Sequence, residues 1–92
     1  GLIGISGIEA DGTLRDYDYR EVKVSRTIIA HAREVWLAAD HSKFNRPAMV
    51  ELGHLKDIDV LFTDARPPAA FEDLIAQSPM QCVVASDQHL NA

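Results

Sequence analysis

Four short apolar runs limit what this chain can fold into: residues 2–5, 34–39, 60–63 and 81–85. Each is nearly continuous in apolar residues, too short for a core helix, and closed by small polar groups. Runs of this kind read as strands of a parallel sheet, buried on both faces because the crossovers lay helices there. Between the first two runs, Val22, Ser25, Ile29 and Ala32 fall at helical spacing, as do Val24 and Ile28. They predict a helix over about 19–32, with Asp18 and Glu21 as a capping-box-like pair at its start. Pro68 suits the first turn of a second helix, running to about Gln77. Residues 8–17 are polar and glycine-containing and read as a loop. Residues 40–47 read as a second loop, and 48–55 as an extended segment or a helical turn, with the extended form favoured. Strand, helix, strand occurs twice, which implies parallel pairing through helical crossovers and an α/β fold.

The 92 residues make one small domain with a thin core. Net charge is −5, and the nine Lys and Arg form no run. That excludes nucleic-acid binding by this chain alone, which needs a clustered basic surface. No apolar run approaches the roughly twenty residues of a membrane-crossing helix. A single cysteine makes no internal disulfide, so a reducing cytoplasm is the expected compartment. The chain has no initiator Met and begins inside what reads as a buried strand, so it is expected to be part of a longer protein. Four histidines show no His-x-x-x-His spacing, and no metal or cofactor is expected. Trp36 and Cys82 read as core residues on their strands.

Parallel α/β sheets bind ligands beyond the carboxyl ends of their strands. There the sequence puts Ser6 and Gly7, then Asp40, His41, Ser42 and Lys43, then Thr63 and Asp64, then Ser86 and Asp87. Hydroxyls and backbone N–H groups satisfy phosphate oxygens, and a lysine adds a point charge. Carboxylates accept hydrogen bonds from sugar or polyol hydroxyls. The set suits a small phosphorylated polyol or sugar. Ser, Thr and Asp also end strands simply as turn formers, but Asp40-His41-Ser42-Lys43 brings four polar groups together after the most apolar strand. Glu9-Ala10-Asp11-Gly12-Thr13 approaches the Asp-x-Asp-Gly-Thr of haloacid dehalogenase-like phosphatases. Glu9 is one methylene too long and stands four residues beyond its strand, wrong for in-line attack. A turn with Gly12 at positive φ is the simpler reading.

Gly4-Ile5-Ser6-Gly7-Ile8, Glu21-Val22-Lys23 and Ala39-Asp40-His41-Ser42-Lys43-Phe44, with Thr63-Asp64 after them, resemble the carboxy-terminal effector-binding domain of DeoR-type bacterial transcription regulators. The form "DGTLRDYDYREVKVSR" is most like the branch that represses glycerol-3-phosphate genes. The resemblance implies a sensor fold related to ribose-5-phosphate isomerase and CoA transferases. It implies a non-enzymatic role: binding a phosphorylated metabolite, such as glycerol 3-phosphate, and releasing operator DNA. It also implies a winged helix-turn-helix and the first half of the sensor domain ahead of residues 1–92, and a homo-oligomer. Lys43 would hold the effector phosphate, Asp40 and Ser42 would shape the loop and reach ligand hydroxyls, and Ser6 and Gly7 would approach the ligand. Glu21 and Lys23 would stand where related enzymes place pocket residues. The alternative is a sugar-phosphate isomerase or deaminase, yet the spacing of Glu21, Asp40 and Asp64 pairs no acid with a base.

Overall fold

The structure is a computed structural model and describes residues 1–85; the expected strand-end residues Ser86 and Asp87 lie outside the described residues. Seven strands and two helices follow in chain order: β1 (Leu2–Gly4), β2 (Gly7–Ile8), β3 (Thr13–Asp16), α1 (Tyr19–His31), β4 (Trp36–Ala38), β5 (Val50–His54), β6 (Val60–Thr63), α2 (Ala69–Gln77) and β7 (Gln81–Val84). Two sheets form. A parallel sheet runs β1-β4-β6-β7, and an antiparallel sheet runs β2-β3-β5. All four apolar runs therefore pair in parallel as the sequence predicts.

Register explains the core. Ile3, Leu37, Leu61 and Cys82 are aligned across the parallel sheet. Ile3, Leu37 and Leu61 are buried, and they join Val22 of α1, Phe71 of α2 and Ile8, Leu14 and Leu52 of the antiparallel sheet in one cluster. Cys82 packs on its edge, half-buried, and burial pushes its thiol pKa up. Helix α1 starts where Asp18 accepts a hydrogen bond from the Arg20 N–H at 2.9 Å. The capping box is only half made, since Glu21 is exposed and makes no side-chain hydrogen bond among the described residues.

Two expectations need correction. Residues 8–17 are a β-hairpin, not a loop: Gly7 pairs with Arg15 and Ile8 with Leu14, and β3 then pairs with β5. The Asp11-Gly12-Thr13 turn joins them, with Gly12 at φ 93° and the Asp11 carboxylate accepting from the Thr13 N–H at 2.9 Å. Gly12 is required twice over, because a Cβ there would also lie 2.6 Å from His54 Cε1. Glu9 of the phosphatase-like motif forms an ion pair with Arg15. Nor is β4 buried on both faces. Leu37 is fully buried, but Trp36 is 43% exposed. Among the described residues the sheet is covered on one side, the side of α1 and α2.

Leu37 anchors the middle of the sheet. Leu37→Ala is expected to destabilise the protein by about 2–5 kcal/mol, the range for a buried leucine that leaves a cavity. Denaturant unfolding of the two forms checks this.

Candidate functional site

The carboxyl ends of β1, β4 and β6 lie on one rim, and the connections between them show how it is held. After β4, Asp40 caps a single 3-10 turn over His41–Lys43, accepting from the Ser42 N–H at 2.8 Å and from the Ser42 hydroxyl. These bonds, the side-chain one first, hold the Asp40 carboxyl below the usual carboxylate range, helped by the nearby Lys43 charge. The turn is stitched to β6 by His41. Its backbone N–H donates to Asp64 Oδ1 at 2.7 Å, and its Nδ1 lies 2.8 Å from Asp64 Oδ2. The turn is then stitched to the antiparallel sheet. Phe44 bridges Ile8, and the Asn45 N–H donates to the Ile8 carbonyl at 2.7 Å. Asn45 adopts φ 59°, a left-handed conformation that asparagine tolerates.

Asp40, Ser42 and Lys43 are thus brought together on one turn; of the three, Asp40 lines a cavity with Thr63 and Asp64, and Ser42 and Lys43 do not. A cavity of about 380 Å³ opens between Asp40, Thr63, Asp64, Ala38 and Phe62. Among the described residues, Thr63 Oγ1 is a buried polar atom without a hydrogen-bond partner, and its residue lines this cavity. Lys43 is half-buried and forms no ion pair among the described residues. Its ammonium is the uncommitted cation of the turn.

The other predicted residues are placed differently. Ser6 donates its hydroxyl to Asp16 Oδ1 at 3.0 Å, and the same oxygen accepts from the Tyr17 and Asp18 N–H groups. Ser6 thereby supports the start of α1. Gly7 is buried, and a Cβ there would overlap the carbonyl of Arg46. Its missing side chain answers to protein packing. Glu21 and Lys23 are exposed on α1, and Lys23 borders a separate depression with Val24, Thr27 and Ile28. The rim is built without either. Four residues now carry more weight than the sequence assigned. His41 and Asp64 form the clamp, visible in sequence only as polar residues at two strand ends. Arg15 and Arg46 border a second cavity of about 400 Å³ beside Glu9 and Asn45. No local pattern announces that groove, because it depends on the β2–β3 hairpin. Among the described residues, no group of three His, Cys, Asp or Glu side chains could hold a metal ion.

The clamp is pH-sensitive. The hydrogen bond and charge of Asp64 hold the His41 imidazole above its ordinary value, and the same hydrogen bond holds Asp64 below the carboxylate range. The raised His41 value stabilises the folded form fully below about pH 6.5, and this is lost as pH rises through that raised value. The lowered Asp64 value acts above about pH 4 and is lost as pH falls through it. The charged pair is therefore complete between those limits. Both groups are exposed, so solvent screening keeps the energy small. Asp64→Asn is expected to lower the His41 titration midpoint measured by NMR, and an unmoved midpoint would show that the clamp does not form in solution.

Gly7→Ala is expected to cost about 1–3 kcal/mol by overpacking against the Arg46 backbone. Thermal unfolding measures it, and an unchanged midpoint would refute the packing role.

The sequence profile of the family described as DeoR C terminal sensor domain matches residues 1–65. The glycerol-3-phosphate regulon repressor of Escherichia coli (strain K12) is 44% identical over 81 residues, which are 88% of this chain and 32% of that protein. The protein of the same name from Haemophilus influenzae is 57% identical over 67 residues, 73% of this chain and 26% of that protein. The HTH-type transcriptional repressor CsqR of Escherichia coli is 37% identical over 83 residues, 90% of this chain and 32% of its own length. All three are named as repressors, and the chain spans about a third of their length or less.

Proposed function

The chain belongs to the DeoR C-terminal sensor domain family, and from that membership we propose that it senses a small phosphorylated metabolite on behalf of a transcriptional repressor. The reading rests above all on Lys43, an uncommitted ammonium on a turn that is pinned beside Thr63 and Asp64. The effector phosphate takes the Lys43 charge, since the N–H groups of the turn are already bonded to Asp40 and Asp64. Asp40, ionised within its own hydrogen bonds, accepts from ligand hydroxyls, and Ser42 holds it in place. Ser6 and Gly7 carry the neighbouring strand end rather than touching the phosphate directly.

Glycerol 3-phosphate is the effector we favour, since two relatives are named for the regulon of that compound. It has one phosphate for Lys43 and two hydroxyls for the acidic side of the cavity. The role is non-enzymatic, as for relatives named as repressors. In this reading residues 1–92 are the C-terminal part of a longer, cytoplasmic, homo-oligomeric polypeptide that binds operator DNA through a preceding domain. Effector binding releases that DNA only if the effector binds the DNA-free state more tightly.

Lys43→Ala in the full-length protein is expected to weaken glycerol 3-phosphate binding by about 1.5–3 kcal/mol, the scale of a hydrogen bond to a charged group. The unfolding midpoint should hardly change. Calorimetry reads the affinity; equal values for both forms would remove Lys43 from the site. Incubation with sugar phosphates is expected to give no turnover.

A further inference from the structure

We infer that the groove between the β2–β3 hairpin and residues 45–48 is a second binding site, which takes a small oxyanion, a phosphate or a carboxylate, between Arg15 and Arg46. It is a different place from the rim beyond β4 and β6, and it does not rest on Lys43 as an effector anchor.

The groove is fixed on both sides before a ligand arrives. One wall is the hairpin, where Arg15 stands in register with Gly7 and the Glu9 N–H donates to the Thr13 carbonyl at 2.9 Å. The other wall is the segment after the Asp40–Lys43 turn, held at three points. The Asn45 N–H donates to the Ile8 carbonyl at 2.7 Å. The Arg46 carbonyl lies against Gly7, where a Cβ would overlap it. The Pro47 carbonyl accepts from the Tyr17 hydroxyl at 2.8 Å. Between the walls lies the cavity of about 400 Å³. That volume falls within the roughly 300–1,000 Å³ of small-molecule sites. Walls already in place lose little freedom on binding.

The side chains that border the groove set its chemistry. Arg15 donates through Nε to Glu9, which orients the guanidinium and leaves its Nη groups without a partner among the described residues. Glu51 and Asp11 act on the Arg15 charge more weakly than Glu9 does. Arg46 is exposed and forms no ion pair among the described residues. Two guanidinium forks bordering one cavity suit the paired oxygens of a phosphate or carboxylate. Arginine is also more weakly hydrated than lysine, so it gives up water to a ligand more readily. Glu9 and Asn45, on the same cavity, supply acceptors for hydroxyls carried by the ligand.

The test uses the full-length protein at constant ionic strength, with a dicarbonyl reagent that modifies arginine and mass spectrometry to read each site. Inorganic phosphate and succinate are the probes. A probe at about ten times its dissociation constant is expected to slow modification of Arg15 and Arg46 about tenfold, the factor set by occupancy. Arg20, whose side chain is 91% exposed, serves as the reference and should not change. Protection by phosphate alone identifies a phosphorylated ligand, and protection by succinate alone a carboxylate; both support the site. Protection by neither, or equal slowing at Arg20, overturns it. Arg46→Ala is expected to leave Arg15 unprotected, and Lys43→Ala to leave both arginines protected. Persistent protection of Arg15 in the first variant overturns the shared site. Lost protection in the second does so too, because the anion then sits at the rim. An Arg46 that is unreactive before any probe is added also overturns the proposal, since the groove is then filled by protein.

Discussion

The candidate site depends on Phe44. Its backbone bridges Ile8 and its ring meets Phe71 of α2 edge-on, with centroids 5.0 Å apart. One residue thus ties the end of the Asp40–Lys43 turn to the antiparallel sheet and to the second helix. The turn itself is polar and exposed, and an isolated 3-10 turn has little stability of its own. What gives it a fixed position is the buried aromatic on one side and the His41–Asp64 clamp on the other. Chemistry on this rim is arranged by the hydrophobic core through a single neighbouring side chain.

The acidic residues around the turn divide between structural and available roles. Asp16 spends its carboxylate on Ser6 and two N–H groups, and Glu9 on Arg15. Asp40 and Asp64 are likewise bonded, but to groups of the rim itself, so they remain where a ligand would arrive. The turn's N–H groups are engaged with Asp40 and Asp64, and Lys43 forms no ion pair among the described residues.

The parallel strands were legible because continuous apolar runs leave few alternatives, and Val60–Thr63 was read with its observed bounds. The hairpin was not. Gly7–Ile8 is two residues long, and Arg15 and Asp16 become tolerable in β3 only through Glu9 and Ser6, partners that no local pattern reveals. Gly7 shows the same limit. A glycine at a strand end invites a ligand in sequence, but the neighbour it accommodates is the Arg46 carbonyl, 39 positions away. Lys43, Asp40 and Ser42 were legible as a run, since their bonds to one another span at most three residues. The clamp from His41 to Asp64 crosses two strands and needed the sheet order.

Among the described residues one edge of β1 is unpaired, and this has a practical meaning. Leu2, Ile3 and Gly4 include no lysine, proline or inward charge of the kind that guards natural sheet edges against strand addition. The edge adjoins the exposed Leu2 and Trp36, so open backbone donors and oily side chains are offered side by side. Such an edge is a template on which another strand can add.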